Sequence, residues 1–313
     1  MRRLPEGRGA RLRVVREAHG RVAGHGVELA YGFWPGRGMP IVGIHALTTT
    51  YKTFVGIGER LAGRRPLFAP DLRGRGDSDK PETGSGMATH AADVAAAMRA
   101  LNIGPSVVVG HSMGAYVATA LAADHPDLLA GVVLLDGGHP PVLPPGLESD
   151  ELLDQILGPV VGRLRQSFPS REAYLDTWRR LPTFADVSGH CAWGPWVEEY
   201  LAYDLGGVNG SLRPKAKEAA VRADFADMGN RVEVERRLGE VKVPIMVVRA
   251  ECGLAPDQPG VLSDDAMERI RVCAPGVVEH TLADTTHYTI ALADPGASTV
   301  ADLLVEFARQ CGL

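Results

Sequence analysis

Apolar positions along this chain switch repeatedly between two spacings. Pro40-Ile41-Val42-Gly43-Ile44, Pro66-Leu67-Phe68-Ala69-Pro70, Ser106-Val107-Val108-Val109, Leu129 to Leu135 and Val243 to Val248 are short, nearly continuous apolar runs. Such runs predict strands covered on both faces. Helical patterns fall between them, over Tyr51–Ala62, over Ala88–Leu101 and from residue 113 to about His125-Pro126. The alternation predicts a mostly parallel sheet with helices on both faces and right-handed crossovers. Before it, Leu12–Glu17 and Val27–Phe33 alternate as two antiparallel strands across the glycines near Gly24 and Gly26. After it come a helix over Ser263–Val272, a last strand over Val277–Leu282 and a helix to about Gln310. The rhythm breaks once. After the stiff Pro140-Pro141-Val142-Leu143-Pro144-Pro145 linker, residues 147–239 predict helices and no strand: Asp150–Leu157, Ser170–Arg180, Trp196–Asp204, Lys215–Met228 and Arg231–Leu238. The domain division is therefore 1–138 with 241–313 as an α/β core, and 139–240 as a helical insertion between the sixth and seventh strands.

Candidate chemistry sits where one buried strand ends. Val107-Val108-Val109 runs into Gly110-His111-Ser112-Met113-Gly114, and a small-residue helix follows. This is a G-x-S-x-G turn with a strand before it and a helix after it. The glycines leave room where strand and helix crowd, and the turn holds the Ser112 hydroxyl above the sheet. The helix N-terminal amides lie where an oxyanion would form. His287, in the loop after the last strand, is the expected base. His111 is the variable position of the turn, with its side chain directed away from the serine hydroxyl. His280 lies within the last strand and is read as structural.

These signals resemble the α/β-hydrolase superfamily, over about residues 10–138 and 241–311. His45-Ala46-Leu47-Thr48 resembles its His-Gly-x-x loop, which implies an oxyanion hole formed by the amides of Leu47 and Met113. His45 then braces the loop. Asp71-Leu72-Arg73-Gly74-Arg75-Gly76-Asp77-Ser78 resembles the D-x-R-G-x-G-x-S loop of epoxide hydrolases, haloalkane dehalogenases and related esterases, and is read as structural. The 139–240 insertion resembles the superfamily's helical cap. Family members often carry the triad acid in a segment like R-G-x-x-D after the seventh strand. Here Arg249-Ala250-Glu251-Cys252-Gly253 puts glycine at that place. Asp136, at the end of the sixth strand, is preferred as the acid, a placement resembling haloalkane dehalogenases and certain lactone hydrolases. Asp257 in Ala255-Pro256-Asp257-Gln258-Pro259 is the alternative, and Glu251 ranks third.

The resemblance implies a serine hydrolase that cleaves a carboxylic ester or lactone of a hydrophobic small molecule through an acyl-enzyme. A serine at the turn, in place of an aspartate, disfavours epoxide and haloalkane hydrolysis. Two other readings stay open: a carbon–carbon bond serine hydrolase, and a hydrolase-fold receptor that binds a ligand with little turnover. Aromatic residues concentrate in the insertion, and Trp193 and Trp196, flanking Gly194-Pro195, are expected to contact substrate. His139 either faces the cavity as a further contact or lies at the surface.

Composition adds exclusions. A net charge of −5 over 313 residues gives no electrostatic case for nucleic acid. Cys191, Cys252, Cys273 and Cys311 show no metal-type spacing and no disulfide framework. No metal or organic cofactor is implied. The N-terminus lacks a signal-peptide apolar core and no run approaches a membrane span. The expectation is a cytoplasmic protein with no membrane partner, and nothing in the sequence sets an oligomeric state.

Overall fold

A computed structural model describes residues 17–140, 155, 158, 161–184, 192–208 and 210–313. Eight strands form one sheet: β1 (Ala18–Ala23), β2 (Glu28–Trp34), β3 (Ile41–Ile44), β4 (Leu67–Pro70), β5 (Ser106–His111), β6 (Leu129–Leu135), β9 (Ile245–Ala250) and β10 (Val278–Leu282). Their order is β1-β2-β4-β3-β5-β6-β9-β10. β1–β2 and β2–β4 pair antiparallel, and every later pair is parallel. The expected strand over Leu12–Glu17 falls almost wholly outside the described residues. The first described strand begins just after it, at Ala18.

Two apolar layers cover the sheet. On one face Val42, Val108, Val132 and Val247 meet α2 (Met87–Ala100), α3 (Met113–Asp124), α7 (Arg231–Glu240) and α8 (Asp264–Cys273). On the other, Val107, Val109, Val133 and Val248 meet α1 (Val55–Leu61) and α9 (Gly296–Gln310), the latter through Val300, Leu304 and Phe307. Alternate residues of β5 thus face opposite cores, which is why the strand reads as a continuous apolar run.

Between β6 and β9 lie α4 (Arg171–Arg179), α5 (Pro195–Tyr203) and α6 (Glu218–Met228), ahead of α7. Ser170 caps α4 by accepting the Ala173 amide at 3.1 Å, and Pro195 opens α5, where its missing N–H has no intrahelical acceptor to lose. The helix expected over Asp150–Leu157 lies outside the described residues, Gln155 apart. One expectation is corrected: this segment does contain strands. β7 (Leu205–Val208) and β8 (Ser211–Pro214) form an antiparallel hairpin, and Phe168 bridges to Leu212 beside it. The signal was the Asn209-Gly210 pair, with Gly210 at φ +94°. An Asn-Gly dipeptide is a strong two-residue hairpin turn, but flanks of only four residues carry too little alternation to show it.

Chain crossings bring the loops after β3, β5, β6, β9 and β10 to the carboxyl edge of the sheet, where open α/β folds form their sites. The crossing of α3 over β3 is tight. A Cβ on Gly114 would stand 2.0 Å from the Ile44 carbonyl oxygen. Gly114→Ala is therefore expected to destabilise the fold by at least about 2 kcal/mol, the scale of an overpacked core. In calorimetry that is a fall in melting midpoint of roughly 3 °C or more for a chain of this size. An unchanged midpoint would mean that α3 can move off β3 freely.

Candidate active site

Ser112 separates β5 from α3 with φ +55° and ψ −118°, a conformation that an L-residue holds only under constraint. The constraint is visible. The Ser112 amide donates to the Leu135 carbonyl at 2.9 Å, and its carbonyl accepts from the Ala115 amide at 3.0 Å. Gly137 packs so closely that a Cβ there would lie 2.7 Å from the Ser112 Cα.

Asp136 follows β6 directly, also at positive φ, +49°. It is fully buried. Its Oδ1 accepts the Ala250 amide at 3.0 Å, and its Oδ2 accepts His287 Nδ1 at 2.6 Å. His287 is held by its backbone as well. Its amide donates to the Gly253 carbonyl at 2.9 Å, and its carbonyl accepts from His111 Nε2 at 2.9 Å. The His111 ring lies 4.6 Å from the His287 ring. Burial first, then the neighbouring imidazole, holds His111 well below the usual histidine range, so it serves as a neutral donor. With Nδ1–H committed to Asp136, a neutral His287 presents a bare Nε2. No hydrogen bond joins Ser112 Oγ to His287 in this conformation; in free enzymes such contacts often tighten only with substrate bound.

The Leu47 loop shows how an amide is aimed. The Ala46 carbonyl accepts His45 Nδ1 at 2.8 Å and Thr49 Oγ1 at 3.3 Å. Because a trans peptide sets C=O and N–H in opposite directions, these bonds drive the Leu47 N–H the other way. His45 Nε2 accepts the Leu72 amide at 2.9 Å, so the ring is neutral. Burial above all keeps its pKa down at about 3. Among the described residues neither the Leu47 nor the Met113 amide donates a hydrogen bond, which leaves both open to an oxyanion.

The remaining carboxylate candidates are placed differently. Asp257 is exposed, with no hydrogen bond to His287. Glu251 is exposed and accepts the Asp284 amide at 2.9 Å. Gly253 offers its carbonyl, and a Cβ on it would meet the Pro259 carbonyl oxygen at 2.6 Å. The backbone of the neighbouring Cys252 ties β9 to the His287 loop through the Thr285 carbonyl, at 3.0 Å.

The three expected substrate contacts each have a protein partner in this structure. His139 is buried with both ring nitrogens engaged, Nδ1 by the Pro140 carbonyl at 2.8 Å and Nε2 by Glu235 at 3.3 Å. Trp193 donates to Glu198 at 2.9 Å and stacks under Arg179. Trp196 lies against α1, with the Arg60 guanidinium 4.9 Å from its ring. Each aromatic ring found a cation at the edge of the segment, and a turn signal such as Gly194-Pro195 carries no information on which way a ring faces. A groove of about 820 Å³ lined by residues such as His19, Lys52 and Tyr203 includes neither Ser112 nor His287.

Sequence reading also missed a cluster beside the Leu47 loop. Arg163, Tyr174, Trp178 and Asp204 close over Thr48, Thr49 and Thr50 in a cleft without room for a water. Asp204 Oδ2 takes both Arg163 Nη1 and Tyr174 Oη, while Asp204 Oδ1, Arg163 Nε and Thr50 Oγ1 are buried without a partner. Trp178 and Phe184 continue to Tyr288, at 6.2 and 5.6 Å between rings, and Tyr288 stands edge-on to His287.

Comparison with known proteins follows the same geometry. Residues 39–177 match the family model described as alpha/beta hydrolase fold. A 2-(acetamidomethylene)succinate hydrolase from Mesorhizobium japonicum is 30% identical over 270 residues, 81% of this chain and 88% of that protein. An N-formylmaleamate deformylase from Pseudomonas putida is 29% identical over 241 residues, 75% of this chain and 79% of that one. A crystal structure of E-2-(acetamidomethylene)succinate hydrolase superposes with a TM-score of 0.76 at 25% identity, covering 93% of this chain and 99% of that one. No helix among the described residues is long and apolar enough to cross a membrane. With its sheet order, its Ser112 turn and a relative matched along most of both chains, the protein belongs to the α/β-hydrolase family.

Proposed function

We propose that the protein is a serine hydrolase working through an acyl-enzyme. The observation that carries this is the 2.6 Å bond from His287 Nδ1 to buried Asp136, at the foot of a turn that holds Ser112 at positive φ. Ser112 Oγ attacks the substrate carbonyl carbon as its proton passes to His287 Nε2. The oxygen gains the electron pair of the carbonyl π bond and is received by the Leu47 and Met113 amides. Asp136 holds the tautomer and stabilises the imidazolium. Collapse expels the leaving group, which takes the proton from His287, and water repeats the sequence to free the acid and Ser112.

The bond cleaved is proposed to be a carboxylic ester or lactone. The unpartnered Arg163 Nε and Thr50 Oγ1 beside the Leu47 loop support a substrate carrying a polar group near its reacting carbonyl, which would have to open that cleft to reach them. The names of two relatives, a succinate derivative's hydrolase and a deformylase of a maleamate, favour a second reading in which the bond is amide-like. O-acyl and N-acyl compounds of one acid, assayed side by side, separate the two. We further propose that residues 139–240 act as a cap over the site.

A fluorophosphonate is expected to label Ser112, and Ser112→Ala to abolish labelling; full labelling of the variant would defeat the assignment. Asp136→Asn should lower kcat by about 10⁴-fold, the effect of turning a triad acid into an amide. Asp257→Asn should leave kcat near the parent value. Adding Gly253→Asp to Asp136→Asn should restore nothing, because of the Pro259 carbonyl; recovery would show that the acid can work from the later strand.

Arg163→Met keeps much of the side-chain volume and removes the guanidinium. It should raise KM for acyl groups bearing a carboxylate or amide by on the order of tenfold, the loss of one charged hydrogen bond. KM for simple acetyl esters should change little. Equal effects on both substrate sets would make Arg163 a packing residue.

A further inference from the structure

A second buried charge cluster lies behind the Leu47 loop, and the proposed mechanism leaves it unused. Arg75 is fully buried. Its Nε donates to the Leu47 carbonyl at 3.0 Å and its Nη1 to the Arg73 carbonyl at 3.2 Å. The same Nη1 lies 2.6 Å from Asp224 Oδ2, and Nη2 has no partner. Asp224 is fully buried on α6. Its Oδ2 also takes His90 Nε2 at 2.9 Å, and its Oδ1 accepts the Gly86 amide at 2.6 Å. Burial pushes the Asp224 carboxyl upward, but Arg75 and His90 outweigh it and hold the group at about 2, so it stays ionised.

Three side chains hold the carbonyls of the oxyanion loop. His45 and Thr49 hold the Ala46 carbonyl, and both come from the loop itself. Arg75 holds the next peptide, through Leu47, and it is the one whose own partner comes from the segment between β6 and β9. Arg75 is also shut off from bulk solvent. A guanidinium this buried stays in place only while a carboxylate meets it. The direction of the Leu47 amide thus depends on a side chain delivered by α6.

We propose that Asp224 is a positioning residue: by holding Arg75 against the Leu47 carbonyl, it makes the seating of α6 on the core a condition for an aligned oxyanion site. This rests on the serine-hydrolase reading above. When α6 is seated, the Leu47 peptide is pinned from both sides and its N–H points at the reacting oxygen. When α6 is displaced, Arg75 loses its counter-charge, the Leu47 carbonyl loses its donor and the amide drifts. Serine, imidazole and Asp136 stay as they were.

The test uses the full chain and two variants. Asp224→Asn keeps the shape and removes the charge. Arg75→Met with Asp224→Leu replaces the ion pair by apolar side chains of similar size, an exchange that buried pairs often tolerate in stability. Rates are taken per folded molecule, for hydrolysis of an activated ester and for covalent labelling by a fluorophosphonate. Both variants are expected to lose kcat and labelling rate on the order of 10²-fold, the consequence of a misplacement near 1 Å. KM and the midpoint of the pH–rate profile should hardly move, because Ser112, His287 and Asp136 are untouched. The double variant should melt at or above Asp224→Asn and remain slow. Parent rates in the double variant, or a fall in melting point with normal rates in Asp224→Asn, would overturn the proposal. A parent that is labelled while Asp224→Asn is labelled as fast overturns it alone; an unlabelled parent overturns the serine-hydrolase reading with it.

Discussion

The site depends on one buried carboxylate. Asp136 sits out of water, which would be costly for an ionised group without partners. Both its oxygens are used: one takes a backbone amide of β9, the other the imidazole of the loop after β10. The same group therefore satisfies the end of one strand, orients a ring and joins three strand ends. The positive φ at Asp136 and at Ser112 shows that the two loops are folded tightly against each other. Neither strained turn would persist alone; each is held by backbone bonds to the strand beside it.

Much of this was legible in the sequence because the signals are backbone signals. Continuous apolar runs marked β3 to β6 and β9, and glycines around Ser112 marked a turn where side chains would collide. The choice of Asp136 over Asp257 followed from a rigid strand end against a proline-rich loop. What sequence could not give was direction. His139, Trp193 and Trp196 each hold a protein partner that the sequence did not announce: Glu235, Glu198 with Arg179, and Arg60. The hairpin of β7 and β8 was too short to register as alternation. The Arg75–Asp224 and Arg163–Asp204 pairs join residues far apart in the chain, and no local pattern marks a carboxylate on an amphipathic helix as the partner of a distant arginine.

The contacts between residues 195–228 and the stretch from the loop after β4 to the start of α2 include several polar ones beside the apolar packing of Val221, Leu72 and Met87. Tyr203 Oη donates to Asp71 at 2.8 Å, Lys215 meets Asp77 at 2.7 Å, and the Gly86 and Met87 amides reach Asp224 and Asp227. Asp71 is raised to about 6, chiefly by burial. Such a seam differs from the apolar layers on the sheet faces. Exposed pairs in the seam, such as Lys215 with Asp77, exchange for water at small net change, whereas the buried Asp224 does not.

The parallel arrangement of β6 and β9 has a consequence for biogenesis. Asp136 and His287 lie 151 residues apart in the chain, and Asp136 meets the Ala250 amide across 114. During synthesis from the N-terminus, β1 to β6 can pair as soon as they emerge, but the far edge of β6 stays bare until the whole intervening segment and β9 have been made. That edge is apolar, buried in the finished molecule and, until then, open to any extended chain nearby. The Ser112–Asp136–His287 arrangement is thus among the last features to exist.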